Sequence, residues 1–207
     1  RIILDACLEI PFDKERLTKA ENLKLFATAS TGYTHIDTNE LNRRNIHLIS
    51  LKGKKEFLKN ITPAAEHSWL LLMMCARKVR SAILDIENDI WERTRYPGMI
   101  MKGKTLGIIG VGRIGKWMAK YAESFEMNCL GYDPYPSDIP HNMKMVSLDD
   151  LVKNSDFITL HVNYEKNLEK FISANLIKKF KFGSIFINTS RGELVDEEAL
   201  INSFLNG

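Results

Sequence analysis

The chain of 207 residues is long enough for one or two domains with a real hydrophobic core. It is 44% hydrophobic and 27% charged, and its net charge of +3 is too small and too dispersed to argue for nucleic acid; no basic stripe carries interleaved aromatics. The longest apolar stretch, Trp69 to Ala76, is too short to span a bilayer, and no signal peptide is visible at the start, so neither a membrane nor a secreted protein is expected.

Cys7, Cys75 and Cys129 lie far apart and fit no metal or redox spacing. Buried free thiols in a reducing cytoplasm are expected, with no metal. The chain opens on Arg1 inside an apolar run and stops on Asn206-Gly207, where a helix would cap. A piece of a longer chain, truncated at both ends, is expected.

In chain order, Arg1 to Ala6 reads as a strand and Asp13 to Ala20 as a short amphipathic helix capped by Asp13. Leu23 to Ala29 is a strand that ends in the small-residue turn Ala29-Ser30-Thr31-Gly32. A helix over Asp37 to Asn45 and a strand over Ile46 to Leu51 follow, and this alternation implies a parallel sheet. Lys52 to Asn60 is a basic loop or helical turn, most simply a solvated surface.

Thr62 as N-cap, Pro63 at the first helical position and Glu66 in the first turn predict a long helix to about Val79. It is apolar nearly all round from Trp69 to Ala76, which predicts a helix that is buried or sandwiched between domains, with Met73 and Met74 as core filler. Ser81 to Trp91 reads as a further helix and Tyr96 to Gly103 as a loop.

The stretch from Lys104 to Asp133 organises the rest. A short apolar run, Leu106 to Ile109, meets glycines spaced Gly110-x-Gly112-x-x-Gly115; a helical pattern and a second apolar run then end on Asp133, 18 residues after Gly115. That is the strand, glycine turn, helix, strand and terminal acid of a dinucleotide-binding βαβ unit, whose acid falls about 20 residues on. Gly110 permits the tight turn, Gly112 lets a pyrophosphate approach the backbone, and Gly115 lets the helix pack on the strand. The helix beginning near Arg113 and Ile114 points free N–H groups and its positive dipole end at the phosphates.

Beyond Asp133, Pro134-Tyr135-Pro136 forces an extended turn and Val146 begins a short strand. Ser147 caps a helix over Leu148 to Asn154, and Phe157 to Val162 is a buried strand. Ser173 caps a helix from Ala174 to about Phe180, Ser184 to Asn188 is a strand, and Asp196 caps a last helix to Leu205. The class is α/β, with two Rossmann-like parallel-sheet domains.

Four stretches together resemble the D-isomer-specific 2-hydroxyacid dehydrogenase family, the group that includes phosphoglycerate dehydrogenase. They are Gly32-Tyr33-Thr34-His35-Ile36-Asp37, Ala65-Glu66-His67, Gly103 to Gly115, and Asn188 to Asp196. The resemblance implies a partial substrate-binding domain over 1–65 and an NAD-binding domain over 66–207, entered through the long helix, with the active site between them. It implies an NAD-dependent transfer of hydride between nicotinamide and C2 of a small D-2-hydroxy or 2-keto acid, and a homodimer through the nucleotide domain, with Ser81 to Met101 as candidate contact surface. An NAD-binding sensor or scaffold without turnover is the alternative, and a methyltransferase is disfavoured by Asn188-Thr189-Ser190-Arg191-Gly192.

Arg191 is the expected catalytic residue, because a planar, permanently charged guanidinium at a strand end can hold a carboxylate and polarise the C2 oxygen. Asp133 can accept from the adenosine ribose hydroxyls and would repel a 2′-phosphate, which favours NAD over NADP. His161 and Val162 are expected near the cofactor, with Thr189, Ser190 and Arg191, although His161 reads equally well as a satisfied strand-end histidine. Thr31, Gly32 and Tyr33 are expected, by resemblance, to offer backbone N–H groups to the substrate carboxylate.

Two departures stand out. Val162 to Asn167 lacks the family's proline-containing loop with threonines, and Lys52 to Asn60 is more basic than the usual connection. Lys52, Lys54 or Lys55 is expected to overhang the cleft and favour an anionic substrate. The family's proton-transferring glutamate and histidine are expected outside these 207 residues, so the chain alone is expected to be inactive.

Overall fold

The computed structural model describes residues 1–6 and 9–206; Cys7, Leu8 and the helix cap expected at Gly207 lie outside the described residues. The chain divides into two compact units, 1–61 and 62–207.

The first unit runs β1 (Ile2–Asp5), α1 (Lys14–Lys19), β2 (Leu25–Thr28), α2 (Thr38–Arg43), β3 (His47–Ile49) and α3 (Lys55–Leu58). Its three strands are parallel in the order β1-β2-β3, with Leu4 opposite Ala27 and Ala27 opposite Ile49. Alternation along each strand sends Phe26 into a core with Leu17, Leu23, Ile36, Leu41 and Ile46, while Ile2, Leu4 and Ile49 face outward and are exposed. The helices start where short polar side chains satisfy first-turn N–H groups: Asp13 Oδ1 accepts from Arg16 N and Asp37 Oδ1 from Glu40 N, both at 2.9 Å.

The second unit runs α4 (Pro63–Ala76), α5 (Val79–Glu87), β4 (Thr105–Ile109), α6 (Arg113–Ser124), β5 (Asn128–Tyr132), β6 (Met143–Met145), α7 (Leu148–Asn154), β7 (Phe157–Leu160), α8 (Ala174–Ile177), β8 (Ile185–Asn188) and α9 (Glu197–Asn206). All five strands are parallel, in the order β6-β5-β4-β7-β8. The order reverses direction at β4, where such sheets bind ligands beyond the strand ends.

Both faces of this sheet are covered, as a parallel sheet requires. On one face α4 and α6 supply Ala65, Trp69, Leu72, Met118 and Ala122 to a core with Leu106, Ile108 and Phe157. On the other, Leu151, Val152, Leu176 and Ile177 pack with Ile109, Ile158 and Leu160. Strand β7 is buried along its whole length, including the hydroxyl-bearing Thr159 among Phe157, Ile158 and Leu160.

Several boundaries differ from the sequence expectation. Thr62 does not cap α4 through its side chain: its backbone is helical and its hydroxyl donates to the Glu66 carboxylate instead. Helix α4 stops at Ala76 rather than Val79, because Lys78 takes a left-handed φ of 53° and α5 begins directly after it. Nor is α4 buried all round: Ala65, Ser68, Trp69, Leu72 and Ala76 form its buried face, whereas Leu70 is 53% exposed. Cys75 is exposed, against the expectation for a free thiol; Cys129 is buried, and burial pushes its thiol up to about 12.

The strand expected to begin at Val146 instead occupies Met143–Met145, where both methionine sulfurs pack over Gly131. A Cβ on Gly131 would lie 2.3 Å from the Met143 sulfur. The helix after Ser173 keeps its predicted cap but is regular only to Ile177, and continues to Phe180 through tighter i−3 bonds.

Candidate active site

The carboxyl ends of β4, β5, β7 and β8 carry every candidate residue of the second unit. Strand β4 ends at Ile109, and Gly110 turns the chain with a φ of +94°. A Cβ there would sit 2.5 Å from the His161 carbonyl oxygen, so both the torsion and the space require glycine. Gly115, one turn into α6, faces the same turn: a Cβ would lie 2.2 Å from Gly110 O. The helix therefore rests directly on the turn it leaves. Gly112 is different, since nothing lies within 4 Å of its Cβ position. Its backbone, at φ −76° and ψ −160°, suits any residue. What glycine provides there is bare, approachable main chain at the start of a 12-residue helix.

Asp133 closes the turn from the next strand. Its Oδ2 accepts from Val111 N at 2.9 Å and its Oδ1 from Tyr135 N at 2.8 Å. The carboxylate thus caps its own Pro134 turn and braces the glycine loop. An ionised carboxylate accepts about four hydrogen bonds, so these two leave capacity for two more. Arg113 and Ile114 open α6 and are half-buried, Ile114 packing against the core that α4 covers.

His161 follows β7 and its N–H bonds to Ile109 O at 2.7 Å, which places it against Gly110. Its Nε2 lies 2.5 Å from Thr159 Oγ1, and its Nδ1 is shut off from solvent with no protein partner among the described residues. Burial lowers its pKa to about 4, so the ring is neutral at physiological pH. A satisfied strand-end histidine is not what the structure contains. Val162 packs into the neighbouring core, with its Cγ2 3.2 Å from the Gly110 Cβ position.

The loop after β8 is held at each residue. Asn188 Nδ2 donates to Arg191 O at 2.8 Å, Asn188 Oδ1 accepts from Ser190 N at 2.9 Å, and Ser190 Oγ donates to Leu160 O at 2.8 Å. Thr189 Oγ1 lies 2.7 Å from Ser68 Oγ, whose own hydrogen bonds Ala64 O at 2.7 Å on α4. So fixed, the loop presents Arg191 half-buried; its Nη1 donates to Ser190 O, and no carboxylate pairs with it among the described residues. A hollow of about 520 Å³ opens beside it, walled by Phe186, Val195 and Leu200. None of Gly110, Gly112 or Asp133 lines that hollow, so it is not the cradle of the glycine turn.

Thr31, Gly32 and Tyr33 belong to the first unit, at the carboxyl edge of its sheet. Ser30 Oγ donates to Gly32 O, and the backbone N–H groups of Thr31, Gly32 and Tyr33 meet no acceptor among the described residues. Beneath them Asp5 Oδ2 accepts from Thr28 Oγ1 at 3.0 Å and lies 2.9 Å from His35 Nε2. Sequence reasoning passed over this buried trio, as it did Ser68 and Thr159. For Ser68 the signal was a polar residue at helical spacing within the apolar set Ala65, Trp69, Leu72 and Ala76.

Open main chain at Gly112 where α6 begins, spare acceptor capacity on Asp133 and a His161 Nδ1 that meets no partner among the described residues converge on one edge. They fit a dinucleotide, and the second unit is a dinucleotide-binding α/β domain. Comparison with known proteins makes this specific. Residues 69–207 match the family model described as D-isomer specific 2-hydroxyacid dehydrogenase, NAD binding domain. A D-3-phosphoglycerate dehydrogenase of Archaeoglobus fulgidus is 36% identical over 198 residues, covering 94% of this chain and 37% of that protein. A hydroxypyruvate reductase of Thermotoga maritima is 35% identical over 187 residues, covering 90% of this chain and 60% of that one. The crystal structure of a D-lactate dehydrogenase from Aquifex aeolicus with NAD and lactic acid superimposes with a TM-score of 0.83 at 28% identity, over 100% of this chain and 61% of that one. The chain belongs to the D-isomer specific 2-hydroxyacid dehydrogenase family, and its second unit carries the family's NAD-binding domain. It spans between about a third and two thirds of the length of these relatives.

The depressed His161 pKa has a consequence for stability. A histidine titrating near 6.5 when unfolded and near 4 when folded stabilises the fold fully above pH 6.5 and loses that contribution as pH falls to 4. The expected size is up to about 3 kcal/mol. Urea unfolding at pH 7 and pH 4.5 should therefore show a larger acid loss in the wild type than in His161→Gln; equal losses would mean that His161 is not held neutral.

Proposed function

We propose that the protein is an NAD-dependent oxidoreductase acting on the CH–OH group of a small D-2-hydroxy acid, or in reverse on the 2-keto acid. The observation that carries this reading is Arg191: a guanidinium with no carboxylate partner among the described residues, on a loop pinned to β7 and α4, at the sheet edge that holds the glycine turn. A structural arginine would be paired; one held in place and left without a counter-ion suits an anionic substrate.

Bound at the α6 start, NAD supplies the hydride acceptor or donor. The N–H groups of Gly112, Arg113 and Ile114 would hold its pyrophosphate, and Asp133 its ribose hydroxyls, with His161, Val162, Thr189 and Ser190 nearer the reacting end. Neutral His161 would offer a hydrogen bond without adding charge beside a cationic ring. Arg191 would hold the substrate carboxylate and polarise the C2 oxygen, so that C2–H bond breaking and loss of the hydroxyl proton leave a carbonyl. Thr31, Gly32 and Tyr33 would offer their backbone N–H groups to a substrate carboxylate, making 1–65 the substrate-binding part and 66–207 the cofactor-binding part. By family resemblance, a histidine–glutamate pair in the portion of the relatives that this chain does not cover would take the proton.

A homodimer through the nucleotide domain is part of the same proposal. Helix α5 buries none of its residues, and Ile83, Ile86, Trp91 and Ile100 are between 48% and 88% exposed along and after it. Such a concentration is unusual on a monomer surface. A cytoplasmic setting is in keeping with the free thiols of Cys75 and Cys129; among the described residues no helix is long and apolar enough to cross a membrane.

NADH oxidation by the full-length protein against a panel of 2-keto acids tests the activity. Arg191→Lys keeps the charge but loses the fork, and should lower kcat/KM by at least about a hundredfold with little change in stability. Unchanged turnover would remove Arg191 from the mechanism, and NADH binding without turnover of any 2-keto acid would leave only a cofactor-binding protein. For the assembly, Ile86→Asp with Trp91→Ser should shift sedimentation from dimer to monomer; a wild type that sediments as a monomer would overturn that part.

A further inference from the structure

The carboxyl edge of the first unit carries a positive charge that the dehydrogenase reading does not use. Strands β2 and β3 are parallel, so the chain segments after Thr28 and after Ile49 leave the sheet on the same edge. A backbone bond joins them, with Leu51 N donating to Ser30 O at 2.9 Å. The next residue is Lys52, whose Nζ lies 5.4 Å from the centroid of the Tyr33 ring. That is within the range of a cation–π contact. The ring of Tyr33 thus supports the ammonium, and the backbone N–H groups of Thr31, Gly32 and Tyr33 meet no acceptor among the described residues.

The surroundings remain cationic. Lys54, Lys55 and Lys59 follow against the single acid Glu56, and Lys52, Lys54 and Lys55 form no ion pair with any described residue. Three backbone donors are enough for one carboxylate. An ammonium held over the ring of Tyr33, itself one of the three donor residues, is then placed to meet a second negative group on the same molecule. Its length and flexibility suit a point charge rather than a shaped fork.

We propose that Lys52, supported by Tyr33, makes this site select 2-hydroxy acids that carry a second anionic group, a carboxylate or a phosphate. Lys52 is a specificity residue here, and the proposal rests on the dehydrogenase reading for the identity of the substrate class.

The test is calorimetric titration of full-length protein saturated with NADH, a mixture that cannot turn over a hydroxy acid. The probes are D-lactate with one anionic group, D-malate with a second carboxylate, and D-3-phosphoglycerate with a phosphate. At least one of the latter two should bind about tenfold tighter than D-lactate, the size of one charge-assisted hydrogen bond. Whichever does so identifies the second group. Lys52→Met should abolish the preference and Lys52→Arg should keep it; Tyr33→Leu should weaken it and Tyr33→Phe retain it. Because Lys52 is exposed, the preference should also shrink between 20 and 300 mM salt, roughly as screening predicts.

Equal affinity for all three acids, or a Lys52→Met variant with the wild-type preference, would overturn the proposal, as would failure of all three to bind. The two readings separate cleanly. A Lys52-dependent preference in a protein that oxidises no NADH removes the dehydrogenase activity and keeps the specificity. Turnover of 2-keto acids without such a preference does the reverse.

Discussion

The second unit depends on how closely α6 approaches the end of β4. Gly115 lies so near Gly110 that a methyl group would meet the Gly110 carbonyl oxygen at 2.2 Å. This contact fixes where the helix starts and which way its first N–H groups point. Gly110 in turn lies against the backbone of His161, so β4 and β7 deliver their ends to one spot. Asp133 reaches across from β5 and holds Val111 N, and the loop is thereby tied to three adjacent strands. A rigid cradle of this kind binds an extended anion without having to order itself first.

A second set of bonds carries the same rigidity to Arg191. Ser190 Oγ ties the loop to the end of β7, while Thr189 ties it to Ser68 on α4. Both hydroxyls belong to side chains that look interchangeable in the sequence, yet each occupies a single partner. No carboxylate pairs with the arginine itself among the described residues. Its neighbours are organised, and its charge is not neutralised, a combination that suits recognition of an incoming anion more than stability.

Much of this was legible in the sequence because it depends on local rules. The glycine spacing specifies torsion and clearance at Gly110, clearance at Gly115 and open main chain at Gly112, and the caps at Asp13, Ser147 and Asp196 follow from side chains three residues from the N–H they satisfy. The buried run at β7 announces a strand covered on both faces. What was not legible depends on partners far away in the chain. No pattern near His161 shows that its Nδ1 is sealed and meets no partner among the described residues, since that depends on packing around the sheet edge. The Ser68–Thr189 pair joins residues 121 apart. Cys75 is exposed although Met74 and Ala76 on either side of it are apolar. The strand at Met143–Met145 was hidden because two methionines flanking a lysine carry little β preference; their place is set by the groove that Gly131 leaves open.

The central claim is that the edge formed by Gly110, Gly112 and Asp133 binds NAD and discriminates against a 2′-phosphate. Fluorescence titration of the full-length protein with NADH and with NADPH addresses it directly, in the wild type and in Asp133→Ala. NADH should bind at least about tenfold tighter than NADPH, and Asp133→Ala should narrow that ratio even where it weakens both cofactors by loosening the Val111 bond. Equal affinities, tighter binding of NADPH, or a ratio untouched by Asp133→Ala would contradict the account.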